Sequence, residues 1–203
     1  GLVINFVFSP ILSIGIIVLV IDVIGGSEIQ YGLFQSVMTA SMFFGPIIVA
    51  NFFKHTDVAK LCFYNIFAAV IVFMGIGVLF FDPIYTLFEA QLTPYIMLLI
   101  LAFMFGVLIS IVNVSVSTLF AKVVPLNMMG RTGTAMNLLI TLAIPVGQIL
   151  FGFMFDYMAV FYVIMIGTTI LLTTLLITRK RLLASTQVEA KKSIKREVVP
   201  SEV

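Results

Sequence analysis

The stretch Tyr95–Ala121, YIMLLILAFMFGVLISIVNVSVSTLFA, runs for 27 residues without one Asp, Glu, Lys, Arg or His. A helix needs about 20 apolar residues to cross a hydrocarbon core roughly 30 Å thick, so this segment can span a bilayer with room for tilt. Five more uncharged blocks flank it: Leu2–Ile21, Tyr31–Phe53, Leu61–Phe81, Thr132–Phe155 and Tyr157–Thr178, of 20, 23, 21, 24 and 22 residues. The six blocks take 137 of the 203 residues, and all 20 charged side chains fall in the other 66. The whole chain is 62% hydrophobic and 10% charged, with mean hydropathy +1.23. Soluble domains are about 45–50% apolar and about 25% charged, so a water-soluble enzyme or a nucleic-acid binder is excluded. Outer-membrane strands would be about 10 residues of alternating character, and none is present. The expectation is an all-α membrane protein. Residues 1–178 form a domain of six transmembrane helices, and residues 179–203 form a basic tail polar enough to be partly disordered.

The charges give the blocks an orientation. The first connection carries Asp22 and Glu28, the third Asp82 and Glu89, and the fifth Asp156. The second carries Lys54, His55, Asp57 and Lys60, the fourth Lys122 and Arg131, and the tail seven basic residues. All 11 basic residues therefore lie on one side of an alternating path. The positive-inside rule makes that side cytoplasmic, with both ends of the chain inside a cell membrane. Tyr31, Tyr85, Tyr95 and Tyr157 stand at the expected outer boundaries, supplying an interfacial belt in a chain without Trp. The basic tail suits anionic headgroups better than nucleic acid.

Polar residues inside the blocks fall on stripes. In the fourth block Gly106, Ser110, Asn113 and Ser117 lie at about 0°, 40°, 340° and 20° around a helix. In the fifth, Thr134, Asn137, Thr141, Gln148 and Gly152 lie within about 60° of each other. The first block has Asn5, Ser9 and Ser13 at every fourth position, and the second has Gln35 and Thr39. Such residues glue helices together or line an aqueous path. The third block offers only Asn65 and the sixth only threonines, which suits two plainer helices outside four striped ones. Pro10, Pro46 and Pro145 permit kinks within the first, second and fifth helices, and Gly147 and Gly152 permit close approach.

Enzyme chemistry has no foothold. There is no phosphate-binding G-x-x-x-x-G-K-[ST] loop, and the lone histidine excludes a multi-His metal site. No nucleophile–base pair can be assembled, so neither cofactor nor metal is expected. Cys62 is the single cysteine, so no disulfide forms within the chain. No block has an ionisable residue near its centre, so a coupling carboxylate is not visible.

Asn5–Pro10 (NFVFSP), Gly25-Gly26-Ser27, Tyr31-Gly32-Leu33, Val124–Arg131 (VPLNMMGR) leading into Asn137, and Ile144–Asp156 (IPVGQILFGFMFD) together resemble the second half of a major facilitator superfamily transporter. The likeness covers roughly residues 1–180 and is most similar to the drug-efflux branch with its macrolide and siderophore exporters. Only Gly45, Lys54, Asp57 and Lys60 match the family's cytoplasmic signature loop. The resemblance implies half of a twelve-helix bundle, with inverted three-helix repeats and its first, second, fourth and fifth helices bordering a central path. It implies proton-coupled efflux of an amphipathic small molecule, with Asn5, Ser9, Gln35, Ser110, Asn113, Asn137, Thr141 and Gln148 lining the path. Gly130, Arg131, Pro145 and Gly147 would serve gating. The implied partners are the small-molecule substrate, the lipid bilayer and an N-terminal six-helix half in the same chain. Gly1 at the edge of a span fits such an upstream half having been removed. Two other readings compete: half of a sugar or metabolite uptake transporter, and an independent six-span scaffold or channel.

Overall fold

The computed structural model describes residues 1–53, 56–88, 90 and 92–198, with side chains through 179. Among them all regular structure is helical. Six helices are long and apolar enough to cross a membrane: Leu2–Val23, Glu28–Phe52, Val58–Leu79, Leu92–Val123, Leu126–Tyr157 and Val160–Arg179. These are the first to sixth spans below. The sixth helix continues beyond its span to Val198, through the segment expected to be partly disordered. That segment is rich in Ala, Lys, Leu and Glu and has no Gly or Pro before Pro200, a composition that favours continued helix.

Local chemistry sets the ends. Gly25 closes the first span with φ of 70°, a conformation that suits a residue without Cβ, and the Gly26 N–H reaches the Val20 carbonyl at 2.8 Å. The second span then opens with a reciprocal cap. Ser27 N–H donates to Gln30 Oε1 at 2.7 Å, and Gln30 N–H donates to Ser27 Oγ at 3.4 Å. Asp57 caps the third span by accepting from the Ala59 N–H at 3.1 Å. The fifth span ends at Tyr157, with Met158 extended. Asp156, expected in the connection, and Tyr157, expected to start the sixth block, thus both belong to the fifth helix; hydropathy is blind to a turn this tight between two apolar runs.

The prolines act in three ways. After Pro10 the first span widens into π-helical turns at Ile11–Gly15 and Val18–Val23, in which Ile16 N–H reaches Ile11 and Ile24 N–H reaches Leu19. Ahead of Pro46 the second span breaks into Glu28–Ser41 and Phe44–Phe52. The fifth span runs unbroken through Pro145.

Contacts fix the alternation of the spans. Tyr85 Oη donates to the Val23 carbonyl at 3.1 Å, Tyr95 Oη donates to the Gln30 carbonyl at 2.9 Å, and Phe81 meets Phe161 at 4.6 Å. These contacts gather Asp22, Glu28, Asp82 and Asp156 at one end. At the other, Arg179 lies 6.0 Å from the Phe63 ring, and Lys60, Lys122 and Arg131 are exposed. Lys54, His55 and Glu89 lie outside the described residues, as do the tail's side chains beyond Arg179.

The third span packs most heavily on the fourth and sixth, the first on the fifth, and the second on the fourth. Phe8, Phe73 and Phe105 knit the first, third and fourth spans at centroid distances of 4.8, 4.9 and 5.4 Å. The third span leaves one stripe exposed: Tyr64, Phe67, Ile71, Met74 and Val78, at spacings of three and four. That is the surface of a helix with one side in the bundle and one in lipid. The least covered spans are the second and fifth, each 17% buried over its most apolar window, against 44% for the first, third and fourth.

Candidate functional site

A groove of about 340 Å³ opens between the first, second and fourth spans. Its polar wall is Asn5, Ser9, Ser13, Gln35 and Asn113; its apolar wall is Ile4, Phe8, Leu12, Met38, Met42, Phe105, Ile109 and Val112. A volume above roughly 300 Å³ is in the range of small-molecule sites. No ionisable side chain is among the lining residues.

The polar groups are partly committed. Asn5 Nδ2 donates to the Gly1 carbonyl at 3.0 Å, and Gln35 Nε2 donates to Tyr31 Oη at 2.8 Å. Each leaves its amide oxygen for another partner. Ser13 Oγ donates to the Pro10 carbonyl at 3.2 Å and accepts from Gln148 Nε2 at 3.4 Å. Asn113 is exposed in the half of the fourth span nearer Lys122. A carboxamide both donates and accepts, so these groups can hold hydroxyl, carbonyl or amide groups of a guest without a net charge.

No protein-family model matches this chain, and no curated protein or solved structure matches it.

Of the expected path residues, Asn5, Ser9, Gln35 and Asn113 meet in the groove. Ser110 does not line it; its buried hydroxyl donates to the Met42 carbonyl at 2.6 Å and joins the fourth span to the second. Gln148 reaches the groove's edge through Ser13. Asn137 and Thr141 are exposed on the fifth span, away from the lining. Gly130 and Arg131 are exposed at the basic end, and a Cβ added at Gly130 would meet nothing within 4 Å. Pro145 is exposed, whereas Gly147 is buried where a Cβ would strike the Phe6 carbonyl oxygen and Pro10.

The apolar wall is not marked by the polar stripes of the sequence. Met38 and Met42 stand three and seven residues after Gln35, on one helical face, and that register was the available signal. Several other polar side chains fold back onto their own helices. Asn65 and Ser115 donate to carbonyls four residues back at 2.8 Å, as do Thr169, Thr173 and Thr174 at 2.7–2.8 Å. A hydroxyl folded onto its own helix is compatible with lipid.

Proposed function

We propose that this chain is the C-terminal six-helix half of a major facilitator superfamily transporter of the drug-efflux type, exporting amphipathic small molecules against proton entry. The reading is carried by one observation. Asn5, Ser9, Gln35 and Asn113, from three different spans, converge on an open groove inside an otherwise apolar bundle. A polar lining in a membrane helix bundle belongs to a path or a guest. The groove's Met and Phe wall is adaptable and suits guests of varied shape.

The pairing of helices supports the same reading. Exchanging the first three spans with the last three turns the first–fifth contact into the second–fourth contact and returns the third–sixth contact to itself. Such internal exchange is what inverted three-helix repeats produce. The basic end is the cytoplasmic end of a cell-membrane protein, and an N-terminal six-helix half covers the second and fifth spans. Alternating access then comes from rocking of the two halves about the groove.

The test is transport by the complete protein in proteoliposomes under an imposed proton gradient. Gradient-driven movement of an amphipathic dye is expected. Asn113→Ala and Asn137→Ala should each slow it about fivefold, the worth of one hydrogen bond of about 1 kcal/mol. Full activity in both variants sinks the assignment of those residues. Accumulation of a nutrient in place of the dye favours the uptake transporter, and movement of neither favours the scaffold or channel.

A further inference from the structure

Pro46 has no N–H, so the carbonyl four residues earlier, that of Met42, has no partner in its own helix. An unmet carbonyl at membrane depth is unfavourable, because no water can replace the missing donor. Here the donor comes from another helix: Ser110 Oγ–H of the fourth span reaches the Met42 carbonyl at 2.6 Å. Ser110 is 6% exposed, and Gly45 makes the approach possible, since a Cβ there would sit 2.5 Å from Ser110 Oγ. The second span breaks at this point, with Met42 and Phe43 N–H groups tightening onto Thr39 and Ala40 at 3.1 and 3.2 Å. Met42 is also a wall of the groove, as are Gln35 and Met38 on the segment just before the break.

We propose that Ser110 is a positioning residue for the groove: by binding the carbonyl that Pro46 leaves unpaired, it fixes the joint in the second span from which Gln35, Met38 and Met42 are presented. Met42 then links the two, its side chain in the groove and its carbonyl in the joint. A guest pressing on that side chain acts on the joint directly. The groove's use rests on the transport reading; the state of the joint does not.

The experiment reads the joint itself. Spin labels are placed at Ile29→Cys and Phe52→Cys, both strongly exposed, in the full-length protein carrying Cys62→Ala, in lipid nanodiscs. Pulsed EPR should give one narrow distance. Ser110→Ala and, independently, Gly45→Ala should broaden or shift that distribution. Adding Pro46→Ala restores an N–H to the Met42 carbonyl, so Pro46→Ala/Ser110→Ala should return to a single narrow distance. An unchanged distribution in Ser110→Ala overturns the proposal, as does an effect of Ser110→Ala that persists undiminished beside Pro46→Ala. Should Ser110→Ala alone fail to fold, recovery of folded protein by added Pro46→Ala supports the proposal and failure to recover overturns it. Dye transport by the same variants is read separately. A protein that transports nothing but shows these distances retains the joint and loses only the transport reading.

Discussion

The fourth and fifth spans are twins in sequence and opposites in the fold. Each is 32 residues long, and each carries a polar stripe of Gly, Ser, Thr, Asn or Gln. Yet 44% of the fourth is buried over its most apolar window and only 17% of the fifth. The fourth is gripped by the second and third spans, with Phe105 and Gly106 fully inside. The fifth touches its neighbours through a narrow stripe, Ala143, Gly147 and Phe151, directed at the first span. A polar stripe therefore does not say what packs on it: Gly106 and Ser110 are buried, whereas Asn137 and Thr141 are exposed.

The largest effect should separate the twins by packing. Phe105 is 0% exposed and packs edge-on against Phe8. Phe105→Ala should destabilise the folded domain by about 3–5 kcal/mol. Leu139 on the fifth span is 55% exposed, and Leu139→Ala should stay within about 0.5 kcal/mol. Unfolding in mixed micelles, followed by circular dichroism, reads both. Comparable losses at the two positions would mean that the fifth span is covered within this chain after all.

Two glycines on the fifth span sharpen the contrast. Gly147→Leu drives a side chain into the Phe6 carbonyl and Pro10, and should cost about 1–3 kcal/mol. The loss should be local: a cysteine at Phe151 becomes reactive to a maleimide while one at Phe105 stays protected. Gly130→Ala meets open space and should instead stabilise the helix by up to about 1 kcal/mol. If Gly130 also serves as a hinge, that variant gains stability and loses transport rate together.

Much of this was legible in the sequence. Charge-free runs such as Tyr95–Ala121 gave the spans, and the alternating charges placed Asp22, Asp82 and Asp156 at one end. Asn5, Ser9, Gln35 and Asn113 could be named because helical periodicity is local. What periodicity cannot carry is the partner of each face. Ser110 and Asn113 share a stripe, but three residues of rotation put one against the Met42 carbonyl and the other on the open groove. That Pro10 and Pro46 permit kinks is visible in the sequence, but the form each takes, π-helical turns after one and a break ahead of the other, is not. The break ahead of Pro46 goes with Ser110 of the fourth span meeting the Met42 carbonyl, and the unbroken fifth span at Pro145 shows that proline alone does not decide the outcome.

The smallest effect tests whether the fifth span's stripe joins the groove at all. Gln148 Nε2 reaches Ser13 Oγ at 3.4 Å, the one polar link between that stripe and the groove's wall among the described residues. Ser13 also donates to the Pro10 carbonyl, so Ser13→Ala removes two interactions and its loss cannot be assigned to the link. A double-mutant cycle isolates it: Ser13→Ala, Gln148→Ala and the pair together, by the same unfolding measurement. Interhelical hydrogen bonds in membranes average about 0.6 kcal/mol, and a bond as long as this one should give no more. A coupling near that value makes Gln148 the groove's far wall and extends the polar surface from the first span onto the fifth. Strictly additive losses would leave the groove to the first, second and fourth spans, with the fifth span's polar residues outside it.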